Sequence, residues 1–268
     1  MRVIASLHMY DWPEVRLATD ALWAAIAGAA RKRGLDAPDE IDRTASPEDQ
    51  WRESDLLFSQ TCGYPYATAL RGTVRLVATP VYVAEGCEGP SYRSAIVTRA
   101  DDPARGLVDL RGRTAAFNAR NSQSGYSAFR SAVAPLASGK SFFSSVLETG
   151  GHLKSMLAVA EGEADCAAID CVCWSMAEHY RIDLASRLKV IAWTGPAPAL
   201  PFVTSVHRSD EEVGTLRDSL REVFADPDTA ATRRALLIAG AEVLEDSAYD
   251  AILAMERDAV SAGYPELR

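Results

Sequence analysis

The chain has 268 residues, 48% of them hydrophobic, and a formal charge of −9. That length and apolar content allow a large buried core in one large or two medium domains, which excludes a disordered or fibrous chain. The acidic balance, with Lys and Arg scattered rather than clustered, excludes a nucleic-acid partner but leaves small anions open, because a pocket of N–H dipoles does not depend on net charge.

The N-terminal run Met1 to Tyr10 is too short for a secretory segment and meets Asp11, Trp12 and Pro13 at once. Even Ala21 to Ala30 ends at Arg31-Lys32-Arg33, well short of the roughly 20 apolar residues of a membrane span. No membrane span is expected. As the sequence stands the expected compartment is the cytoplasm, or the periplasm if the true start lies upstream. The five cysteines, Cys62, Cys87, Cys166, Cys171 and Cys173, follow no metal or disulfide spacing and are expected to be reduced. Cys171-Val172-Cys173 would set two thiols on one face of a strand, a poor zinc geometry, so neither a metal nor a cofactor is expected.

Strands alternate with helices along the chain. Val3 to Leu7 reads as a strand, and Pro13 opens a helix with Val15, Leu22, Ile26 and Ala29 on one side and Gly34 as its cap. Asp55 to Ser59 is a second strand, leading through Gln60-Thr61-Cys62-Gly63-Tyr64-Pro65 into a helix that runs to Leu70. Val74 to Ala78, Ser94 to Thr98, Thr114 to Phe117, Cys166 to Ile169 and Leu188 to Trp193 continue the strands. Tyr126 to Val133 suits a helix that Pro135 would stop. After Pro201 helices are expected over Asp210 to Phe224, Asp228 to Ala239 and Ala248 to Ala262, some returning to the first domain. The class is α/β with mainly parallel strands.

In such sheets ligands gather beyond the carboxyl ends of the strands. Asn118 to Ser127 follows an apolar strand and enters a helix, whose first N–H groups and positive dipole end favour an anion by roughly 0.3–1 kcal/mol per contact. Ser122 and Ser124 would add hydroxyl donors there, although either could simply cap the helix. Gln123, Gly125 and Tyr126 complete the stretch. His152 stands after Gly150-Gly151 at a helix start, and Asp170 ends Cys166-Ala167-Ala168-Ile169; the one could be a plain helix residue and the other a cap. Tyr10, Gln60 and Thr61 follow the first two strands, where aromatic rings either pack or line pockets.

Asn121-Ser122-Gln123-Ser124-Gly125-Tyr126, His152 about thirty residues on, and Ala158 through Asp170 resemble the phosphate/phosphite/phosphonate-binding proteins of ABC transporters. Gln60 to Pro65 and the Pro-rich run Pro196 to Val203 extend the resemblance over most of the chain. It implies the type 2 periplasmic-binding-protein fold, two lobes that are each a mixed sheet flanked by helices, with hinge closure on a ligand in the cleft between them. The expected lobes are residues 1–82 plus 194–268 and residues 83–193. By the family pattern Ser122, Gln123, Ser124 and Gly125 would hold a tetrahedral oxyanion, His152 would donate to it, and Tyr10 with Gln60 and Thr61 would close from the other lobe. Two departures stand out. Gln123 replaces the usual Thr or Ser, and Val172 and Leu200 occupy positions where family members that take aminoalkylphosphonates carry acids, which argues against an amine-bearing ligand.

The resemblance implies a solute-binding protein for a small anionic ligand, with an ABC permease as partner if the chain is exported. One alternative is a cytosolic enzyme on the same fold, of menaquinone- or thiamine-precursor type, with His152 and Asp170 as acid and base. Another is an interaction domain that docks through exposed apolar surface on the helices after Asp210.

Overall fold

Leu56-Leu57-Phe58 is an uninterrupted apolar run, and it forms the strand Leu56–Gln60, buried along its whole length. Burial on both faces places it inside a sheet, and removing Leu or Phe side chains from water contributes about 1.5–3 kcal/mol each. The structure is a computed structural model that describes residues 3–268; Met1 and Arg2, which open the N-terminal run read above, lie outside the described residues. The chain divides into two units, one of residues up to Val83 plus Pro198–Ala248, the other of Ala84–Ala197 plus Tyr249–Arg268.

In the first unit the sheet order is Ile4–Ala5, Leu56–Gln60, Phe202–Ser205, Val74–Tyr82, Ile238–Glu242. Ile4–Ala5 runs parallel to Leu56–Gln60. Phe202–Ser205 inserts antiparallel between its neighbours, and Ile238–Glu242 adds antiparallel at the edge. The helix Arg16–Lys32 buries Leu22, Trp23, Ile26, Ala27, Ala29 and Ala30, the spacing of one helix face, and Trp23 stacks on Phe58 with centroids 5.8 Å apart. Asp210–Ala225 starts from a reciprocal cap in which Ser209 Oγ accepts from the Glu212 N–H and the Glu212 carboxylate accepts from the Ser209 N–H.

The second unit repeats the plan in the order Ser145–Glu148, Thr114–Phe117, Cys166–Asp170, Ser94–Arg99, Leu188–Trp193. The first three strands are parallel, whereas Ser94–Arg99 is antiparallel to both of its neighbours. Ile96, Ala115, Phe117, Phe129, Val133, Phe142 and Phe143 form the core, and Ala259, Tyr264 and Leu267 from the end of the chain join it.

Several expectations change. Both sheets are mixed, as the family resemblance implied and unlike the mainly parallel pattern read from the strand–helix alternation, because Phe202–Ser205 and Ser94–Arg99 enter antiparallel to their neighbours. Residues 249–268 belong to the second unit: the Leu267 N–H donates to Tyr126 Oη, and the Phe142 N–H donates to the Arg268 carbonyl. The span expected as one helix from Asp228 holds a short helix, Ala230–Ala235, and the strand Ile238–Glu242, because Leu237 at φ 57° breaks the helical path before Ile238 pairs with Tyr82. Pro135 lies inside the helix Ala128–Ala137, near its end, where its missing N–H forfeits a single bond; the helix stops at Ser138, which is left-handed at φ 53°. Cys171 and Cys173 begin the helix Cys171–Tyr180 rather than share a strand face. Among the described residues no helix is long and apolar enough to cross a membrane.

Candidate functional site

Thr114–Phe117 and Ser145–Glu148 run side by side in register, Phe117 opposite Glu148, so the two loops that follow leave the same sheet edge together. Backbone bonds hold those loops: the Thr149 N–H donates to the Phe117 carbonyl at 2.9 Å, and the Gly150 N–H to the Asn118 carbonyl at 2.8 Å. The loop after Phe117 enters a wide helical turn, Gln123–Ser127, closed by the Ser127 N–H on the Ser122 carbonyl at 3.0 Å. This five-residue spacing opens a single-turn bulge, a device that recurs at functional sites, ahead of the regular helix Ala128–Ala137.

Ser122 is the cap, its Oγ accepting from the Gly125 N–H at 3.1 Å. Ser124 is held from two sides, its carbonyl accepting from Ser94 Oγ at 2.9 Å and its own Oγ lying 2.9 Å from His152 Nε2. Gly125 is required by a close approach, since a Cβ there would sit 2.0 Å from Asn118 Oδ1 and 2.8 Å from its Cγ. The Asn118 side chain therefore covers the glycine, with His152 Cε1 next to it at 3.2 Å from the same point.

His152 begins the helix His152–Glu161 and is half-buried, with its ring turned inward, and desolvation of that ring lowers its pKa to about 4, only partly offset by the Ala168 carbonyl. At neutral pH the ring is uncharged. Ser124 Oγ and His152 Nε2 are hydrogen-bonded to each other, and the tautomer in which Nε2–H donates to Oγ leaves the Ser124 hydroxyl hydrogen free for an anion. The recess beside Ser124 is lined by Tyr92, Arg93, Ser94, Gln123 and Thr194, and the Arg93 guanidinium is fixed there by the Thr194 carbonyl at 2.9 Å.

The expected site residues separate into groups. Ser122, Ser124, Gly125 and His152 come together. Gln123 adjoins them, but its side chain is fully buried and its amide donates to Met255 Sδ at 3.3 Å. Tyr126 packs edge-on against Phe117 with centroids 5.1 Å apart, as a core residue. Asp170 is buried and caps the helix after it, accepting from the Val172 N–H at 2.8 Å and the Cys173 N–H at 3.3 Å; it pairs across the ladder with Ser94. In the first unit Tyr10 meets Tyr82 edge-on, and the Gln60 amide donates to Tyr82 Oη at 2.8 Å and the Leu200 carbonyl at 3.0 Å. Both line an apolar cavity with Leu7, Leu22 and Phe202. Thr61 is buried, its N–H on the Pro201 carbonyl.

Sequence reasoning missed Asn118 as a covering group, together with Ser94 and Arg93. The pairing of Ser94 with Asp170 follows from an antiparallel register that local sequence does not carry, whereas Asn118 stood at the head of the stretch already singled out.

Two units, each a mixed five-stranded sheet flanked by helices, are the fold of the type 2 periplasmic binding proteins. Solved structures agree. The binding-protein component of an ABC phosphonate transporter from Pseudomonas aeruginosa matches with a TM-score of 0.78 at 20% identity, over 97% of this chain and 87% of its own. PhnD1 from Prochlorococcus marinus, in complex with methylphosphonate, matches at 0.73 and 14% identity over 95% and 97% of the two chains. A Xanthomonas citri protein bound to ATP matches at 0.70 and 17% identity over 98% of each. At these identities the likeness speaks for the fold. The family is set by sequence: residues 50–249 match the model of the ABC transporter phosphonate periplasmic substrate-binding proteins, and the chain belongs to that family. It is a family of transporter substrate-binding proteins, not of enzymes, which sets aside the enzymatic alternative.

Proposed function

We propose that the protein captures a small phosphorus oxyanion, a phosphonate, phosphite or phosphate without an ammonium group, at the turn formed by Ser122, Ser124, Gly125 and His152, and hands it to an ABC permease. The reading rests on one observation above all: Oγ of the buried Ser124 and Nε2 of the half-buried His152, 2.9 Å apart, at the opening of a helical run that follows a parallel strand. Hydroxyl, imidazole and helix dipole give an anion charge-assisted partners where water is excluded. Arg93, which lines the recess beside Ser124, adds positive charge. Val172 and Leu200, both buried and apolar, leave an ammonium group without a counter-charge at the positions where the family supplies one. A permease partner implies that the protein works on the periplasmic side of the membrane, where the family acts.

Isothermal titration against methylphosphonate, phosphite, phosphate, sulfate and aminoethylphosphonate tests the reading. Ser124→Ala should weaken binding of the best phosphorus oxyanion by about 1.5–3 kcal/mol, the value of a hydrogen bond to a charged group, with the fold intact by circular dichroism. Unchanged affinity in the variant, or a preference for aminoethylphosphonate over methylphosphonate, would overturn it.

A further inference from the structure

Cys87 and Cys171 are 84 residues apart in sequence, and in the second unit their sulfurs lie 3.3 Å apart. The distance is shorter than ordinary contact between two sulfurs, and the surrounding backbone holds the pair there. Ala84 to Gly89 is a tight turn in which the Cys87 N–H donates to the Ala84 carbonyl at 3.0 Å, and Glu88 and Ser91 exchange backbone bonds at 3.0 and 3.1 Å. Gly86 is left-handed at φ 94°, and a Cβ on it would lie 2.7 Å from the Trp193 ring and 3.1 Å from Cys171 Cβ. Residue 86 therefore has to be glycine for this turn to lie against Cys171. Cys171 opens the helix that Asp170 caps, and its N–H donates to the Arg93 carbonyl at 3.1 Å.

We propose that Cys87 and Cys171 are a thiol–disulfide site: a small-molecule or protein disulfide converts them to a cross-link within the second unit. The positions assign the roles. Cys87 is half-buried and accessible, whereas Cys171 is buried, and its thiol is held in the protonated form by its hydrogen bond with Cys87 and by burial. The Cys87 thiolate attacks one sulfur of the oxidant R–S–S–R, forming a mixed disulfide and releasing one thiolate. Cys171 then loses its proton and attacks Cys87 Sγ, expelling the second thiolate. The two cysteine protons go to the two departing thiolates, so that two protein thiols and one disulfide become one protein disulfide and two small thiols. Cys173 does not compete, because two residues along a helix turn its thiol about 200° away from Cys171. Cys166 is buried, its Sγ directed to the Thr114 carbonyl at 3.8 Å. Cys62 belongs to the first unit.

The cross-link would join the turn that begins the second unit to the start of the Asp170-capped helix and close a long loop, which stabilises chiefly by restricting the unfolded chain. The test is to equilibrate the intact protein in a glutathione redox buffer, quench with acid, denature and count alkylatable thiols by mass spectrometry. Three of the five cysteines should alkylate, a non-reduced digest should contain one linked pair holding Cys87 and Cys171, and dithiothreitol should restore five thiols while lowering the urea midpoint. Cys87→Ser and Cys171→Ser should each show no link and no effect of dithiothreitol on the midpoint. Five free thiols in oxidising buffer, a stable glutathione adduct on Cys87 beside a free Cys171, or a link to any other cysteine would overturn the proposal. None of these outcomes depends on whether the anion seat binds its ligand.

Discussion

His152 carries its ring into the interior of the second unit without a charge, and acid should expose the cost of that arrangement. Burial holds the folded-state pKa at about 4 against an ordinary 6.5. The unfolded chain therefore takes up a proton as pH falls through 6.5, while the folded protein resists until about pH 4. Between those values the unfolded state binds more protons, so stability falls as pH falls; above 6.5 both states are neutral and the contribution is flat. The gap between the two pKa values corresponds to about 3 kcal/mol, of which about 2.5 kcal/mol should be lost by pH 4.5. The assay is urea unfolding of ligand-free protein at pH 7.5 and 4.5, followed by tryptophan fluorescence, since Trp174 and Trp193 both lie in this unit. His152→Gln keeps a polar side chain beside Ser124 but cannot titrate, and carboxylates elsewhere lose stability equally in both proteins. The wild type should therefore lose about 2–3 kcal/mol more than the variant over this interval. Equal losses in the two proteins would refute the reasoning, as would an added loss confined to pH above 6.5.

Other substitutions separate roles within the second unit. Gly125→Ala drives a Cβ into Asn118 and should weaken anion binding by more than about tenfold, or about 1.4 kcal/mol, whereas Gly151→Ala, which meets no atom within 4 Å, should leave titrations unchanged. Asp170→Ala removes the acceptor for the Val172 and Cys173 N–H groups and should lower stability by about 1–2 kcal/mol; thermal unfolding with unchanged anion affinity would identify it as a cap, while loss of affinity at unchanged stability would return it to the ligand. Arg130→Ala abolishes the bond to the Pro265 carbonyl at 2.6 Å and the pairing with Glu256 at 3.2 Å. It should destabilise the second unit by about 1.5–3 kcal/mol and open residues 249–268 to limited proteolysis.

What the sequence displays are segments with a continuous apolar run or a regular apolar face. Thr114–Phe117 and Leu188–Trp193 match their expected limits, and Arg16–Lys32 buries the face marked by Leu22, Ile26 and Ala29. Two edge strands with weaker apolar patterns, Ser145–Glu148 and Ile238–Glu242, escape the same reading. Ser145–Glu148 has exposed ends and half-buried middle residues, and Ile238–Glu242 is mostly small residues that carry no alternation. Strand direction is a tertiary property, so the antiparallel entry of Ser94–Arg99 and Phe202–Ser205 could not be read locally. The cluster proposed as the seat was legible where chemistry is local, as in Ser122, Ser124, Gly125 and His152, which the structure brings together. It was illegible where groups arrive from a neighbouring strand, as Ser94 and Arg93 do. Tyr126 and Asp170 illustrate the ambiguity of polar residues at strand ends, since packing against Phe117 and capping a helix use the same side chains that a ligand would.

The return of Ala259, Tyr264 and Leu267 to the core of the second unit has a consequence for how the molecule is made. A ribosome delivers Ala84 to Ala197 long before those three side chains, so Phe129, Phe142 and Phe143 wait with part of their packing surface bare while the rest of the first unit is translated. Neither half can finish folding in order of synthesis, since the first also awaits residues beyond Pro198. Completion of both units thus waits for residues beyond Pro198, which leaves the nascent polypeptide incompletely packed through much of its synthesis and its apolar surface open to misassembly in that interval.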